Sequence, residues 1–292
     1  MKDNSFFDYL NVIFMIFIIV VTLYPFYYCF VLSFNDGTDA LKPGIYFWPR
    51  VFSLENYKFI LQNNQLLFAF RNSVIRTIIG TLLAVAFTSA GAYSLSKKNL
   101  NGRRAYMVFF IVTMYFSGGM IPTYMVYKYY GLIDNFLVYL LPTTWSYYNA
   151  LLCMAYYDSI PDSVEESALI DGANPIYIFF KIIIPISAPI IATIALFVGV
   201  AQWNSWFDTM IYTSKPQLQT LQNLLMLVTR EADNLIKMSQ KQAEVGGMVV
   251  FKVSPITIRV ATMIITSFPI VIVYPFVQKY FIKGIMLGSV KG

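Results

Sequence analysis

Histidine is absent from the sequence, and this absence excludes several kinds of chemistry. With no histidine among its 292 residues, the chain has no imidazole to ligate a metal, to act as a general base or to relay protons. Cysteine is nearly absent as well, since only Cys29 and Cys153 occur. Both lie inside apolar runs, so we expect packed thiols there rather than a disulfide or a metal site.

Charged residues are also scarce. They make up 12% of the chain, whereas average soluble domains contain about 25%. Hydrophobic residues account for 58%, and the mean hydropathy is +0.60. This composition is typical of a polytopic membrane protein. The net charge of +6 is explained by lysines and arginines at membrane edges, and the sequence shows no clustered basic face of the kind that binds nucleic acid.

The apolar residues form six runs, each near the roughly 20 residues that a membrane-spanning helix needs. We predict an all-α integral membrane protein with one transmembrane domain covering residues 1–292. Its spans are expected at about residues 10–34, 73–95, 105–127, 136–157, 186–207 and 259–281. Small residues in the second run suit close helix packing in lipid. The first run is too long for the apolar core of a cleavable signal, which has about 7–15 residues.

The charges between the second and third runs set the orientation. Residues 97–104 carry four cations and no acid, and the positive-inside rule places such a short loop in the cytoplasm. With six spans, both termini are then predicted to be cytoplasmic. The loop between the fourth and fifth spans, residues 159–185, is predicted to face the cytoplasm too.

The positions of the acidic residues bear on how transport would be driven. All fifteen fall in loops or near the ends of predicted spans, whereas ion-coupled transporters keep ionisable groups inside the membrane.

The phosphate-binding pattern G-x-x-x-x-G-K-[ST] is missing, so the chain does not bind ATP by that route. A membrane-embedded enzyme has no credible catalytic set here. A self-contained secondary transporter or channel for a small polar solute is the alternative to an ATP-driven system.

Residues 159–185 form a polar interruption with the sequence SIPDSVEESALIDGANPIYIFFKIIIP. Two overlapping pairs have the spacing of a capping box, Asp162 with Glu165 and Ser163 with Glu166. This spacing predicts a short helix. Gly172 accepts a positive φ, and Pro175 disfavours helix at the residue before it. The pattern therefore predicts helix, sharp turn and second helix, lying flat beside the membrane.

This loop resembles the permease loop of ATP-binding cassette (ABC) importers, whose pattern is E-A-A, three residues, G, nine residues and I-x-L-P. Here residues 166–168, Gly172 and residues 182–185 stand in those places, with Ser167 and Ile184 departing from the pattern. The resemblance implies a coupling helix that docks on the ATP-hydrolysing subunit. The residues it implicates are Glu165, Glu166, Ser167, Ala168, Asp171, Gly172 and Pro185. The alternative is an ordinary cytoplasmic helical hairpin whose glutamates only cap and solvate a helix.

Other stretches resemble the permeases of bacterial importers for complex oligosaccharides. They are residues 92–98, 116–124, 203–207 and 274–281, so the resemblance extends over nearly the whole chain. It implies the six-span fold of type I ABC importer permeases and a location in the bacterial plasma membrane. The implied partners are a second, usually different permease, two ABC subunits, an extracytoplasmic sugar-binding protein and membrane lipid. ATP and Mg would be bound by the partner subunits, so no cofactor is expected in this chain.

Two groups of aromatic and amide side chains are candidates for the substrate pathway. They are Tyr147, Tyr148 and Asn149 in the fourth span, and Gln202, Trp203, Asn204 and Trp206 at the end of the fifth. Aromatic rings stack on sugar C–H faces, and amides bond sugar hydroxyls. The alternative is an interfacial aromatic belt with amide bonds between helices. Arg71 and Arg76 are expected to snorkel near the outer surface, the alternative being that they bind an anionic sugar. Residues 217–238 are expected to pack on the spans or to receive the binding protein.

Overall fold

The structure is a computed structural model that describes residues 6–62, 64–244 and 254–289. All the regular elements within these ranges are helical, apart from one isolated antiparallel bridge between Asn35 and Phe52. The predicted all-α class is therefore confirmed. The helices are α1 Phe6–Ser33, α2 Glu55–Leu61, α3 Asn64–Ser96, α4 Arg103–Tyr115, α5 Met120–Tyr129, α6 Tyr147–Tyr157, α7 Asp162–Ile170, α8 Pro175–Ile178, α9 Ile184–Ile186, α10 Ala188–Asn204, α11 Phe207–Tyr212, α12 Leu221–Glu244 and α13 Pro255–Ser289.

Shorter elements connect these helices. Turns of 3-10 helix occur at Asp39–Leu41, Phe136–Tyr139, Leu141–Thr143 and Pro216–Leu218. A π-turn at Phe179–Ile183 joins α8 to α9. The amphipathic stretch predicted at residues 217–238 forms most of α12.

Three helices in the described ranges are long and apolar enough to cross a membrane: α1, α3 and the first part of α13, Pro255–Val273. Two bent pairs also qualify by length and composition if each is one span, which gives up to five spans. α4 and α5 meet at 114°, and Pro175–Ile186 meets α10 at 81°. The first bend lies at residues 116–119, where Phe116 is extended and Gly119, at the N-cap of α5, has a φ of +86°.

The stretch predicted as the fourth span, residues 136–157, differs from one long helix. Two 3-10 turns occupy its first half and α6 its second. Pro142 has no backbone N–H to continue a helix, and Ser146 begins α6 anew by accepting the N–H of Asn149 at 3.3 Å. Apolar composition alone predicted a continuous span, whereas these two local signals divide it.

The described chain divides into two compact units. The first comprises the described residues of Met1–Leu67 and Leu224–Pro269. Its apolar core contains Val31, Leu32, Ile45 and Val260. The buried amide of Asn56 donates to the carbonyls of Ser33 (3.0 Å) and Asn35 (2.9 Å) and accepts from the hydroxyl of Thr257 (2.7 Å). Carbonyls at and just beyond the end of α1 are thereby satisfied by a side chain.

The second unit comprises the described residues of Phe68–Asn223 and Ile270–Gly292. Its largest core combines α3, α6, α7, α10 and the segment after α8, through Ala92, Leu95, Tyr147, Ala150, Cys153, Met154, Tyr157, Ala168, Ile178, Phe179, Ile183 and Ile194. Small residues of α3 permit this packing. A Cβ atom on Gly91 would lie 2.3 Å from Cζ3 of Trp145, so the ring packs directly on the helix backbone.

A carboxylate clamp holds the turn after α5 in the second unit. Asp134 has a φ of +54°, and its carboxylate accepts the N–H of Ser214 at 2.5 Å, the Ser214 hydroxyl at 2.7 Å and the N–H of Lys215 at 3.2 Å. These donors, led by the Ser214 N–H, hold the pKa of the Asp134 carboxyl below its usual range. The turn and residues 214–215 are therefore joined while that carboxyl is ionised.

Candidate functional site

Residues 159–185, the candidate coupling loop that the resemblance implies and called the coupling loop below, fold as helix, turn and helix, as the sequence predicts. Its first helix does not begin with a capping box, however. The N-cap of α7 is Pro161, with no side-chain cap hydrogen bond. Asp162 and Glu165 instead lie near lysines at the end of α3: Glu165 binds Lys97, and Asp162 is 3.8 Å from Lys98. The predicted caps are wrong because Asp162 and Ser163 already lie inside the helix, which leaves Pro161, whose side chain cannot accept a hydrogen bond, at the N-cap.

The turn of the coupling loop has the predicted backbone. Gly172 has a φ of +82°, and its N–H donates to the carbonyl of Leu169 at 3.0 Å. Asn174 is extended, and its side chain accepts the N–H of Tyr177 at 2.8 Å, which caps α8. Pro175 occupies the first position of that helix, where its missing N–H costs nothing. Backbone groups at the end of α7 and at the start of α8 thus find hydrogen-bond partners within the turn itself.

The tip of the coupling loop is apolar and open. Ile170 is 86% exposed and Ile176 71%, and Leu169 and Tyr177 beside them are exposed as well. An open groove of about 500 Å³ lies along the turn, lined by Ala168, Asp171, Gly172, Ala173, Asn174, Tyr177 and Ile182. A Cβ atom on Gly172 would meet nothing within 4 Å. A cluster of exposed large apolar side chains beside a groove makes this tip a candidate interaction surface.

The candidate coupling residues occupy different positions in this loop. Glu166, Ser167, Asp171 and Gly172 are exposed on the loop, and Pro185 is exposed at its far end. Ala168 is buried in the core, and Glu165 is partly shielded by its pairing with Lys97. The structure therefore separates a solvent-facing set from two residues that hold the loop in place.

Gln202, a candidate for the substrate pathway, is committed to contacts inside the protein. Its Oε1 accepts from Nε and Nη2 of Arg76 at 3.0 and 2.9 Å. Its Nε2 donates to the hydroxyl of Thr143 at 2.6 Å and to the carbonyl of Tyr139 at 3.2 Å. The residue is buried, so the amide joins α3, α10 and the 3-10 turns.

Arg76 is the centre of this network. Its side chain is 1% exposed, and its Nη2 lies 2.5 Å from Oδ2 of Asp208. The guanidinium also lies 4.5 Å from the ring centroid of Tyr139. The prediction that Arg76 snorkels is wrong because Asp208 and Gln202 supply partners inside the fold, whereas Arg71 is exposed and lies over Phe68. The sequence signal for this ion pair is an arginine and an acid, Arg76 and Asp208, each near the end of an apolar run.

The remaining pathway candidates divide by exposure. Tyr147, Asn149 and Trp203 are buried, whereas Tyr148 and Asn204 are exposed and Trp206 is intermediate. Tyr147 stacks on Phe110 with ring centroids 5.5 Å apart. Within residues 6–62, 64–244 and 254–289, no group of three or more acids and cysteines is placed to hold a metal ion.

Known proteins resemble the chain over its full length. It is 36% identical to the polygalacturonan/rhamnogalacturonan transport system permease protein YtcP of Bacillus subtilis, over 99% of each chain. It is 35% identical to protein LplC of the same organism, over 100% of this chain and 97% of the other. Its structure matches that of a bacterial ABC transporter involved in import of the acidic polysaccharide alginate, with a TM-score of 0.83, 28% identity and coverage of 96% and 98% of the two chains. No protein-family model matches the chain.

Proposed function

The chain belongs to the permease subunits of carbohydrate ABC transporters, and on this premise we propose that its coupling loop docks on the ATP-binding subunit. The family predicted from the residue patterns is confirmed. The protein is a multi-pass membrane transport subunit rather than an enzyme, and ATP hydrolysis belongs to partner subunits. This membership decides against a self-contained secondary transporter or channel.

The exposed apolar tip of the coupling loop is the observation that carries the docking proposal. Ile170 and Ile176 flank the Gly172 turn, and no other part of the described chain covers most of either side chain. Burying one such side chain in a partner contributes about 1.5–3 kcal/mol. Glu166 and Asp171 lie beside the tip and offer carboxylates to basic side chains of the partner. The positive φ at Gly172 turns the chain so that both helices end at the same surface.

We place the rest of the chain as follows. Six spans cross the bacterial plasma membrane, with residues 136–157 as a broken fourth span and both termini in the cytoplasm. The whole chain acts as one permease domain and pairs with a second, different permease. Two ABC subunits, which bind ATP and Mg, associate from the cytoplasm, and an extracytoplasmic sugar-binding protein delivers the substrate. The cationic loop at residues 97–104 supports this orientation.

The proposed substrate is an oligosaccharide, and an acidic one is favoured. YtcP is a permease for polygalacturonan or rhamnogalacturonan, and the matched structure belongs to an importer of acidic alginate. We assign the direct sugar contacts to Tyr148, Asn204 and Trp206, because their side chains are at least partly exposed. The other members of the two groups form the wall behind them: Tyr147, Asn149, Gln202 and Trp203.

A glycine substitution tests the docking role. Gly172→Asp is expected to fold and insert, because Asp tolerates a positive φ better than most residues. Its charged side chain would project into the open groove and weaken binding of the ATP-binding subunit. The readout is co-purification of that subunit and sugar-stimulated ATP hydrolysis in proteoliposomes.

Gly131→Asp is the matched control. Gly131 also has a positive φ, +66°, and also has nothing within 4 Å of a built Cβ atom, but it lies in the turn after α5. This variant should retain the ATP-binding subunit. Normal co-purification and ATP hydrolysis by Gly172→Asp would refute docking through this turn.

A further inference from the structure

A shielded ion pair joins the coupling loop to the end of α3. Lys97 follows the last residue of α3, and its ammonium contacts both carboxylate oxygens of Glu165 on α7. The two side chains are only 31% and 23% exposed. The neighbouring pair of Lys98 and Asp162 is 3.8 Å apart and 85% and 84% exposed. Exposed pairs contribute little, so Lys97 and Glu165 form the stronger of these two contacts.

Tyr93 extends this contact into the core. The Lys97 ammonium lies 4.1 Å from the centroid of the Tyr93 ring, close enough for a cation–π interaction. The same ring lies 5.1 Å from that of Phe179 and meets Tyr157 edge-on at 6.1 Å. One side chain of α3 therefore touches the ion pair, the second half of the coupling loop and α6.

Both halves of the coupling loop are packed on α3. Ala168 of α7 and Phe179 after α8 belong to the same buried cluster as Ala92 and Leu95. The π-turn at residues 179–183 adds a residue to the helical turn, and its first and last members are both buried. Such turns are frequent at functional sites. The loop is therefore fixed to α3 rather than suspended on a flexible connection.

We propose that Lys97, Glu165 and Tyr93 form a latch through which movement of the coupling loop is passed to α3. The proposal rests on the docking role assigned above, and it makes these three residues positioning residues of the transport cycle. Arg76 lies roughly 30 Å from Lys97 along the helix axis, at 1.5 Å per residue. A displacement of the docked loop would thus be carried along α3 to the buried Arg76 network.

The test is a charge cycle at the latch in the complete importer. The variants are K97M, E165Q, the conservative K97R and the exchange K97E/E165K, with K98M as the matched control from the exposed pair. The readout is the amount of an oligogalacturonate probe transported per ATP hydrolysed in proteoliposomes, together with co-purification of the ATP-binding subunit. K97M and E165Q are expected to lower the transport ratio by roughly fivefold or more, the scale of typical allosteric coupling.

The other variants separate coupling from folding. K97R retains the charge and can stack on Tyr93, so it should keep most of the ratio. The exchange should restore part of it, and K98M should leave it unchanged. ATP-binding-subunit recovery is expected to match the wild type throughout.

Two results would overturn the latch. One is an unchanged transport ratio in both K97M and E165Q. The other is loss of the ATP-binding subunit in these variants, because the residues would then act in docking rather than in transmission. Failure of the unmodified chain to recover that subunit would instead refute the docking proposal itself.

Discussion

Removing the Arg76 guanidinium should be among the most damaging single changes in the second unit. Arg76→Met keeps an apolar stem of similar length but removes the guanidinium donors of Oδ2 of Asp208 and Oε1 of Gln202, while Oδ1 of Asp208 keeps the N–H of Thr209. Removing one partner of a buried ion pair typically costs about 3–5 kcal/mol. Asp208 is 20% exposed and can be partly hydrated, so we expect the lower end, about 3 kcal/mol.

A loss of about 3 kcal/mol in Arg76→Met should produce a measurable fall in the melting temperature. One kcal/mol corresponds to about 2–4 °C for domains of 150–250 residues, which gives a fall of roughly 6–12 °C. Cys153 is fully buried and Cys29 partly so, and a thiol-reactive fluorophore therefore reports unfolding in a Cys29→Ser background. The Met variant of Arg71, which is exposed on the same helix, is the control.

The control and the double variant decide the outcome. Arg71→Met should melt within about 2 °C of the parent, because exposed charges contribute little. R76M/D208N removes both charges and should recover part of the loss, since no unpaired carboxylate is left. If R76M melted as R71M does, the buried network would not stabilise the protein and the reasoning would be refuted.

Two further predictions concern packing and pH. Gly91→Val should lower stability by about 1–3 kcal/mol because its side chain would overlap the Trp145 ring. Gly199→Ala should be tolerated, because the nearest neighbour of a Cβ atom there is 3.4 Å away. The same thiol assay compares the two variants, and equal melting temperatures would contradict the packing. The lowered pKa of Asp134 means that its clamp is intact above the ordinary Asp pKa of about 3.9 and is lost as pH falls through the lowered value. Hydrogen exchange at the Ser214 amide, corrected for intrinsic rates, should therefore be constant from pH 7 to 5 and faster at pH 7 in Asp134→Asn; unchanged exchange in that variant would contradict the clamp.

Local signals predicted the coupling loop better than the buried network. A positive φ at Gly172 and an extended Asn174 follow from the chemistry of glycine and of residues before proline. The capping boxes failed because α7 begins at Asp162, so that Pro161 rather than Asp162 or Ser163 stands at the N-cap. The pairing of Glu165 with Lys97, 68 positions away along the chain, has no counterpart in a local pattern.

The broken fourth span and the burial of Arg76 were also missed by the sequence patterns. Hydropathy averages over about twenty residues and cannot register that Pro142 and Ser146 interrupt a helix. Its own sequence neighbourhood predicts Arg76 to be an interfacial cation, because its partners Gln202 and Asp208 come 126 and 132 positions later in the chain. Pairing across that distance depends on how helices pack in three dimensions.

The Asn56 amide also has a consequence for biogenesis. Ser33 and Asn35 are synthesised just before Asn56, but Thr257 follows 201 positions later. At about 5–20 residues per second, translation needs roughly 10–40 s to reach it. During that interval Oδ1 of Asn56 lacks its native donor, and the first unit is incomplete while the intervening helices enter the bilayer. The two bonds that Asn56 donates can form early, whereas the bond it accepts completes this polar junction only after Thr257 of α13 has been made.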